Sequence, residues 1–221
     1  MFKLIEDIVE APGVAELRKI AAEAKFVDGR VSNPHSKVKN NLQLHEQGVA
    51  ERAAQILAGG LLSHQEFFDF AFPKAIAPPI LTRYEKGMRY GLHPDAAMMQ
   101  LPTGPLRSDL SCTIFLSDPE SYEGGALRLQ LGSAELRFKG PAGSAIVYPS
   151  TTLHEVEPVT SGTRLVGLTF IQSRIADPAL RDILYELNEV AALEGNSIAP
   201  ENFSRLQAVQ YNLMRRWIDA P

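Results

Sequence analysis

The sequence predicts an α+β protein: helices, then a β-rich core, then a helical tail. Three observations carry that reading. Val14, Leu17, Ile20, Ala21 and Ala24 recur at helical spacing near the start. From Ala77 to Ser173 the chain is punctuated by Gly, Pro and Thr between short β-type runs. After Asp177-Pro178, Leu180, Leu184, Leu187 and Val190 return to helical spacing.

Residues 14–25 are predicted as the first helix, preceded by Pro12 and Gly13. Residues 26–44 mix Gly, Asn, Pro and Lys and read as a loop or short hairpin. A second helix is expected from Glu46 to Leu57, stopped by Gly59-Gly60. A third, short one is expected through HQEFFDF, before Pro73. The β-type runs are PILTRYE, SCTIFLS, ALRLQLG, AELRFKG, SAIVYPS and TRLVGLTFIQ. Leu127, Leu129 and Leu131 alternate with Arg128 and Gln130, the pattern of a half-buried strand. Strands this short and this closely spaced suggest an antiparallel sandwich or jelly roll, not alternating β/α units. A last helix is expected over Phe203–Ile218. The expected organisation is a helical region over 1–76 packing on a core over 77–174, with a helical extension over 175–221.

Composition excludes several classes. The chain has 221 residues, 45% hydrophobic and 22% charged, which argues against disorder and coiled coil as its main state. A net charge of −4 lacks the basic footprint of a nucleic-acid binder. One cysteine, Cys112, allows no intrachain disulfide and no Cys-rich zinc site. It reads as a small buried hydrophobe. No apolar run approaches the roughly 18 residues of a membrane helix. Glu6 and Asp7 stand where a signal peptide would be apolar. The expectation is a cytoplasmic protein with no nucleic-acid or membrane partner.

Two of the five histidines fall in the β-core. His93-Pro94-Asp95 is a His-x-Asp triplet, and residues i and i+2 of an extended segment share a side. Pro94 lacks an N–H, so it belongs at a strand edge or end. His154 follows the strand-like SAIVYPSTTL. Two neutral imidazoles and one carboxylate on one face of an octahedron leave positions open, the donor set of non-haem Fe(II) oxygenases. Taken singly, each of these residues is more simply a strand or core residue.

Arg164 follows His154 by ten residues, beyond an expected turn at Val159–Gly162. An arginine in an apolar strand either points outward and is solvated or needs an inward partner. Inward, its planar fork suits the far carboxylate of a co-substrate that chelates the metal at its other end. Tyr84 and Ser111 are candidates to add hydroxyls to that carboxylate pocket, while Tyr90 reads as strand packing. His35, His45 and His64 lie in polar or helical segments and read as non-ligands. Gly124-Gly125 reads as a turn or bulge, lacking a phosphate-loop pattern.

Longer stretches carry a family resemblance over nearly the whole chain. FVDGRV with VKNN, RYEKGMRYGLHPD, RSDLSCTIFLSDPESYEGGALRL and PAGSAIVYPSTTLHEVEPVTSGTR with the following IQS recur in order and spacing. In these the sequence resembles the bacterial PKHD-type hydroxylases, a prolyl 4-hydroxylase-like branch of the Fe(II)/2-oxoglutarate dioxygenases. The resemblance implies a double-stranded β-helix (jelly roll) core with helical extensions. It implies Fe(II) on His93, Asp95 and His154, 2-oxoglutarate paired with Arg164, and L-ascorbate as reductant. The implied reaction couples decarboxylation of 2-oxoglutarate to succinate and CO2 with hydroxylation by O2. The substrate is left open between a protein side chain and a small metabolite. The 26–44 loop, with Arg30, Lys37, Lys39 and Asn40, either lines the mouth of the site or is a solvated loop. The C-terminal helices either dock on the core or form a homo-oligomer contact. Two other readings stand beside this one: a catalytically silent metal-binding jelly roll, and a cupin-like metalloenzyme that does not use 2-oxoglutarate.

Overall fold

A computed structural model describes residues 1–220. Its helices are α1 (Ala11–Glu23), α2 (Val49–Ser63), α3 (Gln65–Ala71), α4 (Pro178–Glu194) and α5 (Pro200–Trp217). The first seven strands are β1 (Lys3–Ile5), β2 (Phe26–Asp28), β3 (Lys39–Asn40), β4 (Leu42–Leu44), β5 (Pro73–Ile76), β6 (Ile80–Tyr84) and β7 (Arg89–His93). Next come β8 (Met98–Leu101), β9 (Gly104–Arg107), β10 (Leu110–Phe115), β11 (Tyr122–Gly124), β12 (Leu127–Leu131) and β13 (Ala134–Phe138). The last four are β14 (Ala145–Pro149), β15 (His154–Val156), β16 (Val159–Gly162) and β17 (Arg164–Ser173).

Every strand pairing is antiparallel. A large sheet runs β1-β14-β10-β17-β6-β4-β2, with β5 also on β17. A smaller one runs β13-β12-β15-β7-β3. Alternation along the central strands sorts two cores. Leu81, Cys112, Val147, Leu165 and Ile171 leave the large sheet toward Leu17, Leu57, Leu61 and Phe67 of the first three helices. Tyr84, Ile146, Tyr148 and Val166 leave it on the other side and meet Leu127, Leu129 and Val156 of the small sheet. The site lies in this second layer. A third cluster joins Ile175 and Leu184 to Met214 and Trp217, holding α5 against α4.

Several expectations need correction. The glycine pair does not stop the second helix: α2 continues to Ser63. A Cβ on Gly60 would stand 2.2 Å from the Ile8 carbonyl oxygen, so this glycine allows a close backbone approach inside the helix. Residues 26–44, expected as a loop or short hairpin, do pair β2 with β4 antiparallel. They supply β2, β3 and β4, which extend both sheets. The expected turn at 159–162 is strand β16, paired with β11. Gly124-Gly125 does form a bulge, with φ of +68 and +62°. Asp177 caps α4 by accepting from the Ala179 and Leu180 N–H groups.

Candidate metal and co-substrate site

His93 ends β7 and His154 opens β15, directly opposite one another in the small sheet. Pairing then jumps to Val156 against Tyr90, so β7 carries a bulge over Gly91 and Leu92. The extra residue turns both Tyr90 and His93 toward the inter-sheet layer. Their rings stack at 3.6 Å between centroids, 14° from parallel. Asp95 follows once the strand has ended, where Pro94 costs no ladder hydrogen bond.

Ligand atoms of His93, Asp95 and His154 all lie within 4.8 Å of one another. His93 Nε2 is 4.0 Å from Asp95 Oδ1, and His154 Nε2 is 3.6 Å from Asp95 Oδ2. The outer ring nitrogens are committed elsewhere. His93 Nδ1–H donates to the Gly91 carbonyl at 2.7 Å, and His154 Nδ1–H to the Thr152 carbonyl at 3.0 Å. A carbonyl can only accept, so each imidazole carries its proton on Nδ1 and presents the Nε2 lone pair inward. Burial, and then His154 alongside, pull the His93 pKa down to about 4. At neutral pH the ring is therefore a neutral donor.

Asp95 is held by a directed relay. Ser111 Oγ–H donates to Asp95 Oδ2 at 2.5 Å. Having spent its proton, Ser111 accepts from Ser150 at 2.7 Å, and Ser150 from Ser108 at 2.8 Å. Ser111 is thus engaged on the Asp95 carboxylate. Ser108 and Ser150 escaped sequence reading because no motif marks them. Only the register of β10 against β14 brings them together.

Arg164 begins β17 opposite Tyr84 and is 1% exposed. None of its three guanidinium nitrogens has a hydrogen-bond partner. Its guanidinium carbon lies 5.0 Å from the Tyr84 ring centroid, a cation–π contact that uses none of its five N–H donors. An unpaired buried charge costs several kcal/mol. The Tyr84 hydroxyl accepts from Asn41 Nδ2 at 2.9 Å and retains its own proton to donate. Burial holds that proton on by raising the Tyr84 pKa. A carboxylate seated here would satisfy the fork. The donor set and the orphaned guanidinium therefore fit a divalent metal with a dicarboxylate co-substrate.

The remaining histidines, His35, His45 and His64, stand outside the ligand group. Cys112 is buried, and burial raises its thiol pKa, so it is not nucleophilic. No helix among the described residues is long and apolar enough to cross a membrane.

Two imidazoles, a carboxylate and a buried arginine lie on the inner layer of paired antiparallel sheets, a donor set that suits a non-haem metal with open positions. Residues 79–172 match the 2OG-Fe(II) oxygenase superfamily. A PKHD-type hydroxylase of Sphingopyxis alaskensis is 60% identical over 217 residues, spanning 98% of this chain and 99% of the relative. One from Stenotrophomonas maltophilia is 40% identical over 218 residues, 96% and 97% of the two chains. A Trichoplax adhaerens prolyl hydroxylase, solved with a hypoxia inducible factor peptide fragment, superposes with a TM-score of 0.60. Its identity is 14%, over 77% of this chain and 82% of the other. A Pseudomonas putida prolyl-4-hydroxylase gives a TM-score of 0.56 at 18% identity, over 77% and 92%. The chain belongs to the PKHD-type hydroxylases, within the 2OG-Fe(II) oxygenases. It is an Fe(II)- and 2-oxoglutarate-dependent dioxygenase that uses O2 to hydroxylate a substrate. The silent-module and cupin-like readings are set aside by this membership.

Proposed function

We propose that His93, Asp95 and His154 hold the Fe(II), and that Arg164 binds the distal carboxylate of 2-oxoglutarate with Tyr84 adding a hydroxyl donor. The observation that carries this is the buried, unpartnered guanidinium of Arg164, in the same inter-sheet layer as the His-Asp-His group. The bound iron and co-substrate supply the oxygen-activating chemistry, in which decarboxylation to succinate and CO2 is coupled to hydroxylation. The chain supplies placement. Nδ1 anchors on Gly91 and Thr152 fix both imidazoles, Ser111 fixes Asp95, and Arg164 orients the co-substrate. Ser111 therefore acts through Asp95, in place of contacting 2-oxoglutarate itself.

The core is read as a double-stranded β-helix over 77–174, whose strands form the central parts of the large and small sheets, with β1–β5 of the preceding residues added to them. Residues 1–76 add α1–α3 and the strands β1–β5 to it, and residues 175–220 add the helical extension of α4 and α5. L-ascorbate is the proposed reductant, and the substrate a protein side chain or a small metabolite. Exposed Val190, Leu193, Val209 and Tyr211 on α4 and α5 favour a homo-oligomer through these helices.

The test is an anaerobic titration of Fe(II) and 2-oxoglutarate, watched for the visible metal-to-ligand charge-transfer band. Wild type is expected to develop the band, and Arg164→Ala to require far more 2-oxoglutarate. Equal requirements in the two proteins would remove Arg164 from the site.

A further inference from the structure

Lys39 is a second inward-facing cation, and the co-substrate reading does not use it. It pairs with Tyr90 at the edge of the small sheet and is 8% exposed. Its ammonium lies 5.5 Å from the Tyr90 ring centroid, and Tyr90 stacks directly on the His93 imidazole. Lys39 therefore stands one aromatic ring away from a proposed metal ligand. Among the described residues its only side-chain hydrogen bond is to Ser32 Oγ, at 2.7 Å. Among the described residues no carboxylate reaches it. Asp28, the nearest acidic neighbour on the strand before, is taken by Arg30.

Lys39 and Arg164 reach the site from opposite sheets, Lys39 from β3 and Arg164 from β17. Asp28 and Asp95 act on Lys39 through space, and neither stands at ion-pair distance from it.

We propose that Lys39 seats a carboxylate of the molecule being hydroxylated, which makes the substrate class a carboxylate-bearing anion. The inference rests on the reading that Arg164 already holds 2-oxoglutarate. Three features argue for it. A desolvated ammonium with no carboxylate at ion-pair distance attracts an anion. A lysine gives a single charged donor, suited to one carboxylate and not to the forked pairing that Arg164 offers. The aromatic bridge through Tyr90 places that donor beside the metal group and not over it.

The experiment uses anaerobic protein loaded with Fe(II) and saturating 2-oxoglutarate. Butyrate and its neutral match butyramide are titrated separately, with the charge-transfer band as readout. Butyrate is expected to shift the band saturably. Lys39→Met keeps the length of the stem and should weaken butyrate about tenfold or more, the worth of one charged hydrogen bond. Lys39→Arg should retain most of the affinity, and butyramide should bind poorly to all three proteins. Lys39→Gln carries the same comparison should the methionine variant not fold. Equal butyrate affinity in wild type and Lys39→Met, with the band intact, overturns the proposal alone. So does butyrate that bleaches the band in place of shifting it, because that is displacement of 2-oxoglutarate. A wild-type protein that never develops the band overturns the co-substrate reading and this one with it.

Discussion

The two sides of strand β17 are built to opposite rules. Leu165, Gly167, Thr169 and Ile171 face the helices, where Leu165 and Ile171 join an apolar cluster with Leu57 and Leu61. A Cβ on Gly167 would stand 2.7 Å from Leu57, so α2 lies directly on the strand backbone. Arg164, Val166, Leu168 and Phe170 alternate to the other side, where Arg164 keeps three unpartnered nitrogens. Polar groups are sparse on the first side and matched where they occur: Thr169 Oγ–H donates to the Ala77 carbonyl. The second side has an unpaired cation, an imidazole pair and a serine relay. The pleat lets one ten-residue strand do both, because its side-chain period is two. Stability comes from the helix side, and the inner side carries groups whose partners are ligands.

The sharpest way to break that division is from the stable side. Leu57 is fully buried against Gly167. Leu57→Ala should lower the unfolding free energy by about 2–5 kcal/mol, the range for a buried leucine truncation. Denaturant unfolding measures it. The 2-oxoglutarate requirement of the surviving folded fraction should stay within about twofold, as expected for sites with no shared partners. A large change in that requirement would mean the two faces are coupled through the sheet.

The opposite experiment removes the inner charge. Arg164→Met deletes a buried cation and fills most of its volume with an apolar chain. The metal-free variant should be more stable than wild type by about 1–3 kcal/mol, because an unsatisfied charged group no longer has to be desolvated. It should also lose the extra stability that 2-oxoglutarate with Fe(II) gives the wild type by mass action. Thermal unfolding with and without the ligands reads both effects. A variant destabilised in both conditions would show that Arg164 holds the fold through its stem.

The sequence made this inner face legible only in part. His93, Asp95, His154 and Arg164 were readable because each is an unusual residue type in a β-rich run, and the structure brings the first three together. The long strands were readable from alternation. β1 and β3 were not, and β2 and β4 were open only as a short hairpin: two or three residues are too few to show a period, and distant pairing fixes them as strands. The bulge over Gly91 was hidden for the same reason, since a bulge is defined by the partner strand. Asn41, which holds Tyr84, was not singled out, and Lys39 was named only among residues lining the mouth of the site, in a stretch read as a loop or short hairpin. Their roles come from β3 pairing with β7 and β4 with β6. Gly60 misled because a packing glycine and a helix stop look alike in sequence.

The smallest expected effect tests whether the inner side is organised beyond its ligands. Ser111 donates to Asp95 Oδ2, and Ser150 and Ser108 stand behind it in turn. With its hydroxyl gone, Ser111→Ala frees the Asp95 carboxylate to rotate and leaves Ser150 without its acceptor. Metal affinity should fall about tenfold, the low end for losing a group that orients a ligand. Ser150→Ala should cost less, because Ser111 can still donate to Asp95. Fe(II) binding measured by competition with a chelator separates the two variants. A gradient, with Ser111 above Ser150, is what a relay ending on Asp95 requires. Equal losses would mean that the serines act by packing, and the polar order of this face would then stop at the residues that touch the metal.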